Sequence, residues 1–413
     1  MEKLLLLGGS AQQVTAIETA KKLGLYTVLC DYLPDNPGQY AADKFYLVST
    51  TEKEAVLDVA RKEAVRGVIA YASDPAAGTA AYVAEVLGLP TNPYSSVEIL
   101  CSKDRFRSFL RENGFCVPAA CGYDNVSAAM QEKGQFTLPV IVKPVDSSGS
   151  KGVTVLHTWE GFEEAFAFAL SFSRSKRVIV EEFIEKNHPY LIGGDVFIIE
   201  GKIVLWGLMN CHRDPRVNPL VPVGKSYPPA LSAENSEQVK NVLQAIVDKL
   251  GIRFGAMNVE LVVDKENRVF PIDIGPRNGG NMIPELLSMI FGVDVVELSV
   301  RAAMGMPYEG ILNVDFPDGF RGEGPCYATY NMHALKDGIY RGVRFSEKAE
   351  RFLVRKSLYK KPGDFVEYFD NASKALGIVF FRFENAAQMR EFMAGVHEEI
   401  TVLTDGFPEE RMK

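Results

Sequence analysis

The stretch GAMNVELVVDKENRVFPIDIGPRNGGN, residues 255–281, contains the pattern around which the rest of the chain is organised. It reads as two β-strands, Ala256–Val263 and Val269–Ile274, that are joined by the polar turn Asp264–Arg268. The simplest structure for such a pattern is a hairpin that is symmetric about Glu266–Asn267. The sequence therefore predicts an antiparallel hairpin here.

In that hairpin Glu260 lies directly opposite Asp273. Cross-strand partners have their Cβ atoms about 5 Å apart, where two like charges repel by roughly 3 kcal/mol at an effective dielectric constant of about 20. A divalent cation between the carboxylates removes this penalty, and one or two carboxylates completed by water and phosphate are typical of Mg²⁺. Arg277 follows in a glycine-rich turn and offers a guanidinium to an anion. A solvated hairpin with one carboxylate on each strand is the alternative, and this stretch alone favours neither interpretation.

The composition is that of a globular protein with several domains. The chain has 413 residues, of which 47% are hydrophobic and 24% are charged, and this length predicts two to four domains. The net charge of −8 argues against nucleic acid or an anionic membrane as a partner. We therefore expect small-molecule partners, with a homodimer as an open alternative to a monomer.

The sequence shows no sign of a targeting segment. The run Leu4–Leu7 is too short for a signal peptide, and no apolar run approaches membrane-spanning length. The six cysteines are scattered without a C-x-x-C pair, which favours free thiols in a reducing compartment over a zinc site. We expect a cytoplasmic protein.

The first ninety residues alternate between apolar strands and amphipathic helices. The predicted strands are Lys3–Leu7, Tyr26–Asp31, Lys44–Val48 and Gly67–Tyr71, and the predicted helices are Ala11–Leu23, Glu52–Lys62 and Pro75–Leu87. This alternation predicts a parallel sheet with helices on both faces, and ligands of such sheets bind at the carboxyl ends of the strands. Those ends are Gly8–Ser10, Asp31 and Ser73-Asp74. The dinucleotide fingerprint G-x-G-x-x-G is absent, which argues against a nicotinamide cofactor.

Two lysines and a glycine-serine loop mark the next segment. A predicted helix from Ser95 to Gly114 carries Lys103, and a strand at Val140–Val142 ends at Lys143. The loop that follows contains Ser147, Ser148, Gly149, Ser150, Lys151 and Gly152. Glycines allow close backbone approach to a ligand, and the combination favours a flexible phosphate cover, although most such loops are turns.

A candidate adenine site follows. After a helix at Glu160–Ser173, a strand at Arg177–Glu181 leads into Glu182, Phe183 and Ile184. Acidic and apolar residues at the exit of a strand can bind adenine, with main-chain groups on the edge of the base.

The remaining chain combines a hairpin, a basic loop and a distinct C-terminal part. Residues 193–209 predict a hairpin that turns at Glu200-Gly201, and Cys211–Pro229 reads as a long loop. In it His212, Arg213 and Lys225 could meet an anionic substrate, while an ordinary surface histidine explains His212 equally well. Further predicted elements are a helix that ends at Gly251, a helical stretch Pro284–Met304 interrupted near Gly292, a strand Gly377–Arg382 and a helix Ala386–Glu399.

The ordered set of Lys103, Lys143 with its loop, Glu181–Ile184 and the Glu260/Asp273/Arg277 group resembles the ATP-grasp superfamily across residues 1–310. The stretches DYLPDNPG (Asp31–Gly38) and ADKFY (Ala42–Tyr46) resemble the pre-ATP-grasp domain of carbamoyl-phosphate synthetase and purine-pathway ligases. More loosely, KKPGD (Lys360–Asp364) and ALGIVFFRFENAAQM (Ala375–Met389) resemble the C-terminal domain of bacterial L-amino-acid ligases. The resemblance implies three domains: a parallel α/β domain at 1–92, a two-lobed α+β ATP-grasp domain at 93–310 with its lid lobe at about 115–185, and a small α+β domain at 311–413.

The resemblance also implies roles for individual residues. Lys103 and Lys143 would hold phosphate oxygens of ATP, Ser147–Gly152 would form the lid, and Glu181 and Glu182 with Phe183 and Ile184 would bind adenine. Glu260 and Asp273 would ligate Mg²⁺, with Mn²⁺ as an alternative. Arg277 would stabilise an acyl phosphate, with Lys143 as the second catalytic residue, and the substrate candidates are His212, Arg213, Asn258 and Asn278.

Two positions depart from the family pattern. Where the family has Glu-x-Asn, this chain has Asp273-Ile274-Gly275, so a second Mg²⁺ must be completed by water or by another group such as Asn278. The family's ribose-binding carboxylate would fall on His188, and Asp195 is the substitute candidate.

The implied reaction is transfer of the γ-phosphoryl group of ATP to a substrate carboxylate, followed by displacement of phosphate by an amine. An amino acid or similar small carboxylate is the expected substrate. A purine-pathway ligase, a carboxylase that uses bicarbonate and a non-catalytic ATP-binding module are the alternatives.

Overall fold

The structure is a computed structural model that describes residues 1–308, 310–311 and 325–405. Its described residues form two compact units. The first unit comprises residues 1–148, 152–207 and 231–311, and the second comprises 149–151, 208–230 and 325–405. The second unit therefore takes in residues that the sequence placed in the ATP-grasp domain, and the three-domain division at residues 92 and 310 stays a prediction.

The first unit begins with the predicted parallel α/β layer. Its strands are β1 (Lys3–Leu7), β2 (Tyr26–Asp31), β3 (Lys44–Leu47) and β4 (Gly67–Ile69), and its helices are α1 (Val14–Lys22), α2 (Pro37–Ala41), α3 (Lys53–Glu63) and α4 (Asp74–Val86). The strand order is β3-β2-β1-β4, and each pairing is parallel. The short helix α2 was not predicted, although Asn36 caps it and Pro37 opens it, both common signals of a helix start.

A second sheet forms the small lobe of this unit. Its elements are α5 (Tyr94–Cys101), α6 (Lys103–Glu112), β5 (Ala120–Tyr123), α7 (Val126–Gln131), β6 (Val140–Pro144), β7 (Thr154–Leu156), α8 (Phe162–Phe172) and β8 (Val178–Glu182). The strands pair antiparallel in the order β5-β8-β6-β7. The predicted single helix Ser95–Gly114 is wrong, because Ser102 adopts an extended conformation and separates α5 from α6. The break makes Lys103 the first residue of α6.

A third, antiparallel sheet carries the hairpin. The elements are β9 (Leu191–Ile199), β10 (Lys202–Arg213), α9 (Ala233–Leu250), β12 (Gly255–Val263), β13 (Val269–Gly275), α10 (Ile283–Phe291) and α11 (Val295–Met304). In the first unit the order is β13-β12-β9-β10. The hairpin of β9 and β10 turns at Glu200-Gly201 as predicted, and both residues have positive φ.

The second unit is α+β, as predicted for the C-terminal part. It contains the end of β10, then β11 (Pro222–Tyr227), β14 (Cys326–Met332), β15 (Gly338–Phe345), α12 (Glu347–Phe352), β16 (Leu353–Leu358), β17 (Phe365–Val366), β18 (Gly377–Phe383), α13 (Ala386–Ala394), α14 (Val396–Glu399) and β19 (Ile400–Asp405). One sheet runs in the order β10-β11-β14-β18-β16 and a smaller one in the order β17-β15-β19. The predicted long loop Cys211–Pro229 is wrong: three of its residues end β10, six form β11, and residues 214–221 connect the two strands.

Two further observations concern the whole described chain. Within residues 1–308, 310–311 and 325–405, no helix is long and apolar enough to cross a membrane. The six cysteines all lie within the described residues and form no disulfide bond with one another, and Cys30, Cys211 and Cys326 are buried.

Candidate functional site

The hairpin places its two carboxylates as the sequence predicts. Glu260 of β12 pairs with Asp273 of β13, while the next pair is Leu261 with Pro271. Ile272 is therefore an extra residue on β13, and the strand contains a β-bulge. Like charges that face each other across a ladder destabilise a hairpin, so the arrangement suits a bound cation.

Lys103 brings a positive charge to this pair. Its Nζ lies 3.5 Å from Oδ1 of Asp273 and donates to the carbonyl of Ser147 at 2.9 Å. Its backbone N–H donates to the carbonyl of Val145, which fixes the start of α6 against the loop after β6. The candidate metal ligand Asp273, the candidate phosphate ligand Lys103 and the start of the loop after β6 are therefore neighbours within the first unit.

A buried ion cluster lies beside this group. The Glu181 carboxylate on β8 is ion-paired through Oε1 with Lys143 on the adjacent strand β6, and its Oε2 accepts from Nε of Arg107 at 3.0 Å. Arg107 is 1% exposed and Glu181 is 2% exposed. Burial raises the pKa of Glu181, but the charges of Arg107 and Lys143 outweigh it and lower that pKa to about 2. The carboxylate is therefore ionised at neutral pH.

Arg107 also links this cluster to the hairpin, and sequence reasoning missed it. Its Nη2 donates to the carbonyl of Ile272 at 2.8 Å, the residue that the bulge adds to β13. Arg107 lies four residues after Lys103 on α6, so both project from the same side of the helix. That spacing was the available signal, but an arginine in a helix is usually exposed.

The adenine candidates follow Glu181 directly. Glu182 accepts from the backbone N–H of Thr137 at 2.6 Å, and the N–H of Phe183 donates to the carbonyl of Pro139 at 2.9 Å. Because the Phe183 N–H is already bonded, the main-chain groups expected to meet an adenine are the Phe183 carbonyl and the main chain of Ile184. Adenine binding by these residues and Glu181 stays a prediction.

Asp195 is not placed to bind a ribose, which corrects the sequence analysis. The side chain is 1% exposed. It accepts from the backbone N–H of Gly279 at 2.8 Å and from Nδ2 of Asn258 at 2.8 Å. A carboxylate with these partners anchors the turn after β13 to β9 and β12.

The two asparagine candidates also hold this turn. Nδ2 of Asn258 donates to Gly194 and Asp195, and its backbone N–H donates to the carbonyl of Arg277. Asn278 is buried and donates to Oγ of Ser299 at 2.9 Å. These contacts hold Asn278 in the turn and give Asn258 a positioning role, while Asn278 as a ligand of a second Mg²⁺ stays a prediction.

The donor set fits a cation that is shared with phosphate. Across the described residues, no group of three or more His, Cys, Asp or Glu side chains is arranged to hold a metal ion. The pair Glu260 and Asp273 alone is too small a set for a Zn²⁺ or Ca²⁺ cage, but Mg²⁺ commonly takes one or two carboxylates with water and phosphate oxygens. The residues present therefore fit Mg²⁺.

Arg277 is held by a residue of the parallel α/β layer. Its Nε donates to Oδ1 of Asp74 at 2.6 Å, and its Nη1 donates to the carbonyl of Asn278 at 2.9 Å. Burial raises the pKa of Asp74, but the Arg277 charge outweighs it and lowers that pKa. Asp74 begins α4, at one of the strand ends where the sequence predicted a ligand.

Gly275, the departure from the family pattern, has a steric reason in this structure. A Cβ atom on this residue would lie 2.8 Å from Oδ1 of Asp74 and 2.9 Å from Cζ of Arg277. The ion pair therefore occupies the space that a side chain at residue 275 would need.

The loop after β6 is shared between the two units. Ser147, Ser148 and Gly152 belong to the first unit. In the second unit, Oγ of Ser150 donates to the carbonyl of Leu220 at 2.9 Å, and the carbonyl of Gly149 accepts from the N–H of Ala372 at 3.3 Å. Gly149, Ser150 and Gly152 have positive φ, which explains the glycines. The role of this loop, including Lys151, as a lid over ATP stays a prediction.

Two of the basic substrate candidates in the second unit are engaged in hydrogen bonds within that unit. Nε2 of His212 is 2.8 Å from Oγ of Ser226, and burial, with Arg213 and Lys225 nearby, lowers its pKa to about 4. Lys225 is buried in β11 and donates to Sγ of Cys211 at 2.7 Å. The predicted basic substrate loop is therefore wrong for His212 and Lys225, while the role of Arg213 stays a prediction.

Comparison with known proteins agrees with this geometry. Residues 136–285 match the family model of the ATP-grasp domain. The chain contains an ATP-grasp domain. The matched region runs from β6 to α10 and includes the Lys143–Glu181 pair and both carboxylates of the hairpin.

Relatives of this chain include enzymes that are named by their activity. A formate-dependent phosphoribosylglycinamide formyltransferase of Synechococcus sp. (strain WH7803) is 28% identical over 327 residues, which cover 76% of this chain and 79% of that protein. The expectation of an ATP-grasp enzyme is confirmed.

Solved structures share the fold over nearly the whole chain. The L-amino acid ligase from Bacillus licheniformis has a TM-score of 0.80 at 19% identity and covers 98% of this chain and 99% of its own. The phosphoribosylglycinamide synthetase from Anaerococcus prevotii has a TM-score of 0.75 at 19% identity, and the match covers 98% of this chain and 100% of that chain. The predicted ATP-grasp architecture is therefore confirmed.

Proposed function

We propose that this protein uses ATP and Mg²⁺ to phosphorylate a small carboxylate and then joins the acyl group to an amine. The observation that carries this proposal is the grouping of Lys103 with the Glu260/Asp273 pair beside the Lys143–Glu181–Arg107 cluster. The grouping offers cations for a triphosphate and carboxylates for a metal within one unit. It suits phosphoryl transfer, which depends on positioning and charge neutralisation more than on a protein nucleophile.

The reaction proceeds in two steps. A carboxylate oxygen of the substrate attacks the γ-phosphorus, the bond to the β,γ-bridging oxygen breaks, and ADP leaves with that electron pair. The amine then attacks the acyl carbon, inorganic phosphate leaves, and the amine nitrogen loses a proton. Arg277 is fixed by Asp74 in an orientation that can bind the acyl phosphate as it forms.

Lys143 has to exchange partners when ATP binds. Its ammonium is paired with Glu181, and a phosphate oxygen would compete for it. Arg107 keeps Glu181 neutralised after Lys143 turns to the phosphate, because it binds the other carboxylate oxygen. Without Arg107, the departure of Lys143 would leave the Glu181 carboxylate buried and unpaired, which would destabilise the folded protein.

Glu260 and Asp273 would hold Mg²⁺. When bound, the ion neutralises negative charge on the phosphate oxygens during transfer. Lys103, whose Nζ is 3.5 Å from Asp273, would bind the same group of phosphate oxygens.

The carboxylate is proposed to be an amino acid or a similar small acid. The fold shared with an L-amino acid ligase and the sequence of the C-terminal part support this. Formate, with phosphoribosylglycinamide as the amine, is the second candidate, because a relative with 28% identity is named as the transformylase that uses them.

The test is ATP-dependent ADP formation with a matrix of carboxylates and amines. The carboxylates are the amino acids, formate and acetate, and the amines include amino acids and phosphoribosylglycinamide. Bicarbonate is tested separately, as the substrate of the rival carboxylase interpretation. We expect ADP only when a carboxylate is present, which a non-catalytic ATP-binding module would not produce. ADP formation with bicarbonate alone would contradict the proposal.

Variants of the hairpin serve as controls. Asp273→Asn should abolish ADP formation and keep the fold, because the change relieves repulsion with Glu260. Glu266→Gln, an exposed carboxylate in the turn of the same hairpin, should leave the activity unchanged. Wild-type activity of Asp273→Asn at ordinary Mg²⁺ concentration would contradict the metal assignment.

A further inference from the structure

The second unit contains a cavity of about 400 Å³ that none of the residues assigned to ATP lines. Its polar lining consists of basic, imidazole and hydroxyl side chains: Arg216, Lys336, His333, His397, Tyr330, Thr401 and Thr404. Among its lining residues, all of which the structure describes, there is no carboxylate. The whole chain has a net charge of −8, so a basic cavity runs against its overall composition. Its volume suits a small metabolite.

Arg216 is fixed in place by a buried carboxylate. Asp214 accepts from Nε of Arg216 at 3.0 Å and from its Nη2 at 2.6 Å, and the Arg216 backbone N–H binds the same carboxylate at 2.9 Å. Tyr330 lines the same cavity beside this guanidinium. An arginine that is ordered before binding loses less side-chain entropy when it meets an anion.

His333, next to the Asp214–Arg216 pair, is also held by several contacts. Nε2 of His333 lies 3.3 Å from Oδ2 of Asp214, and its Nδ1 lies 2.8 Å from the carbonyl of Asn331. The imidazole stacks on Phe369 with ring centroids 4.7 Å apart. The Asp214 carboxylate that holds Arg216 is therefore itself supported by the packed rings of His333 and Phe369.

The charges around the cavity leave a positive surplus. Asp214 offsets Arg216, and Glu398, whose carboxylate is 3.8 Å from Nε2 of His397, offsets that imidazole when it is protonated. Lys336 is exposed at the cavity and adds one more positive charge. Together with the hydroxyl groups of Thr401 and Thr404, it supplies donors for anionic oxygens.

We propose that this cavity binds the anionic end of a small molecule, either a carboxylate or a phosphate monoester. Arg216 and Lys336 hold the anionic oxygens, and Asp214 keeps the guanidinium in place. This proposal does not depend on the proposed ligase activity, because binding in the cavity needs neither ATP nor Mg²⁺.

The experiment is isothermal titration of the full chain, without ATP, with inorganic phosphate and, separately, with acetate. Tighter binding of one probe assigns the ligand class. Lys336→Gln should weaken that binding by about tenfold, the effect of losing a charge-assisted hydrogen bond, and Arg216→Gln should do the same or more. Lys348→Gln, an exposed lysine of α12 in the same unit, should bind like the wild type.

The exposed Lys336 and one further variant keep the outcome decisive. Arg216→Gln leaves the buried Asp214 without its main partner and can lower stability, whereas Lys336 is exposed and its replacement leaves the fold intact. Lys103→Gln removes a candidate phosphate ligand of the first unit and should not change probe binding. Unchanged binding in Lys336→Gln, loss of binding in Lys103→Gln, or no binding of either probe by the wild type would each overturn the proposal.

Discussion

At the scale of single residues, the site depends on charges that hold one another in place. Inside the first unit Lys143 and Arg107 both form ion pairs with Glu181, and Asp74 holds Arg277. The sequence predicted the residues that would touch ATP or metal, because their types and order are characteristic. It did not predict Arg107 or the pairing of Asp74 with Arg277, since both pairs join residues that are distant in sequence.

Replacing Arg107 should separate positioning from direct binding. In Arg107→Met the Glu181 carboxylate keeps only Lys143, so we expect a loss of about 3 kcal/mol of unfolding free energy, as for broken buried ion pairs. We also expect KM for ATP to rise more than kcat falls, because Lys143 would be held by Glu181. Urea unfolding and steady-state kinetics measure both. Arg111→Met, on the exposed side of the same helix, is the matched control, and equal behaviour of the two variants would refute the role of Arg107.

Gly275 provides a steric test of the Asp74–Arg277 pair. Gly275→Ala places a Cβ within 3 Å of both partners and should destabilise the protein by about 1–3 kcal/mol, as overpacking does. In Gly280→Ala the new Cβ would be 3.6 Å from Gln12, an ordinary contact, so thermal unfolding should change much less. A Gly275→Ala variant as stable and as active as the wild type would show that this pair does not need the space.

His212 should stay neutral at physiological pH. Burial, with Arg213 and Lys225, lowers its pKa to about 4, so its NMR signals should titrate near that value and not near 6.5. Because the unfolded chain takes up the proton first, this residue's contribution to stability is complete above about pH 6.5 and is lost as the pH falls towards about 4. A His212 titration midpoint above 6 would contradict this environment.

At the scale of elements, local sequence patterns predicted secondary structure correctly where the apolar residues of the pattern are also the buried ones. The hairpin of β12 and β13 was predictable because apolar runs flank one polar turn, and Glu260 meets Asp273 as expected. The bulge at Ile272 was not predictable from the local pattern, and its extra carbonyl accepts from Arg107, which is distant in sequence. Strand β11, PVGKSY, was missed because proline, glycine and lysine are unfavourable in strands, and its pairing with β10 and β14 overrides that preference.

The loop after β6 should respond to nucleotide. Gly149 and Ser150 belong to the second unit, and their hydrogen bonds to Ala372 and Leu220 lie within it. If the loop is a lid, ATP with Mg²⁺ should slow proteolytic cleavage between residues 147 and 152, because closure over phosphates buries the backbone. Limited proteolysis with mass mapping of the cut measures this, and AMP serves as the control ligand. Equal cleavage rates with and without ATP and Mg²⁺ would count against a lid.

At the scale of the whole molecule, the order of elements identified the architecture more securely than any single motif. The ordered lysines, loop, hinge glutamate and hairpin carboxylates specified an ATP-grasp domain, and the family match at residues 136–285 agrees. The substrate was not predictable in the same way, since it depends on side chains from separate parts of the chain. Two predicted substrate groups, His212 and Asn278, are instead occupied with internal hydrogen bonds.

The central claim is that a substrate carboxylate becomes an acyl phosphate, and the path of its oxygen tests that claim directly. The measurement uses whichever carboxylate and amine support ADP formation, with the carboxylate labelled with heavy oxygen, and mass spectrometry of the released phosphate. We predict one labelled oxygen in each phosphate, because the carboxylate oxygen that attacks the γ-phosphorus leaves with it when the amine attacks. Phosphate that carries no label, released together with coupled product, would contradict the account.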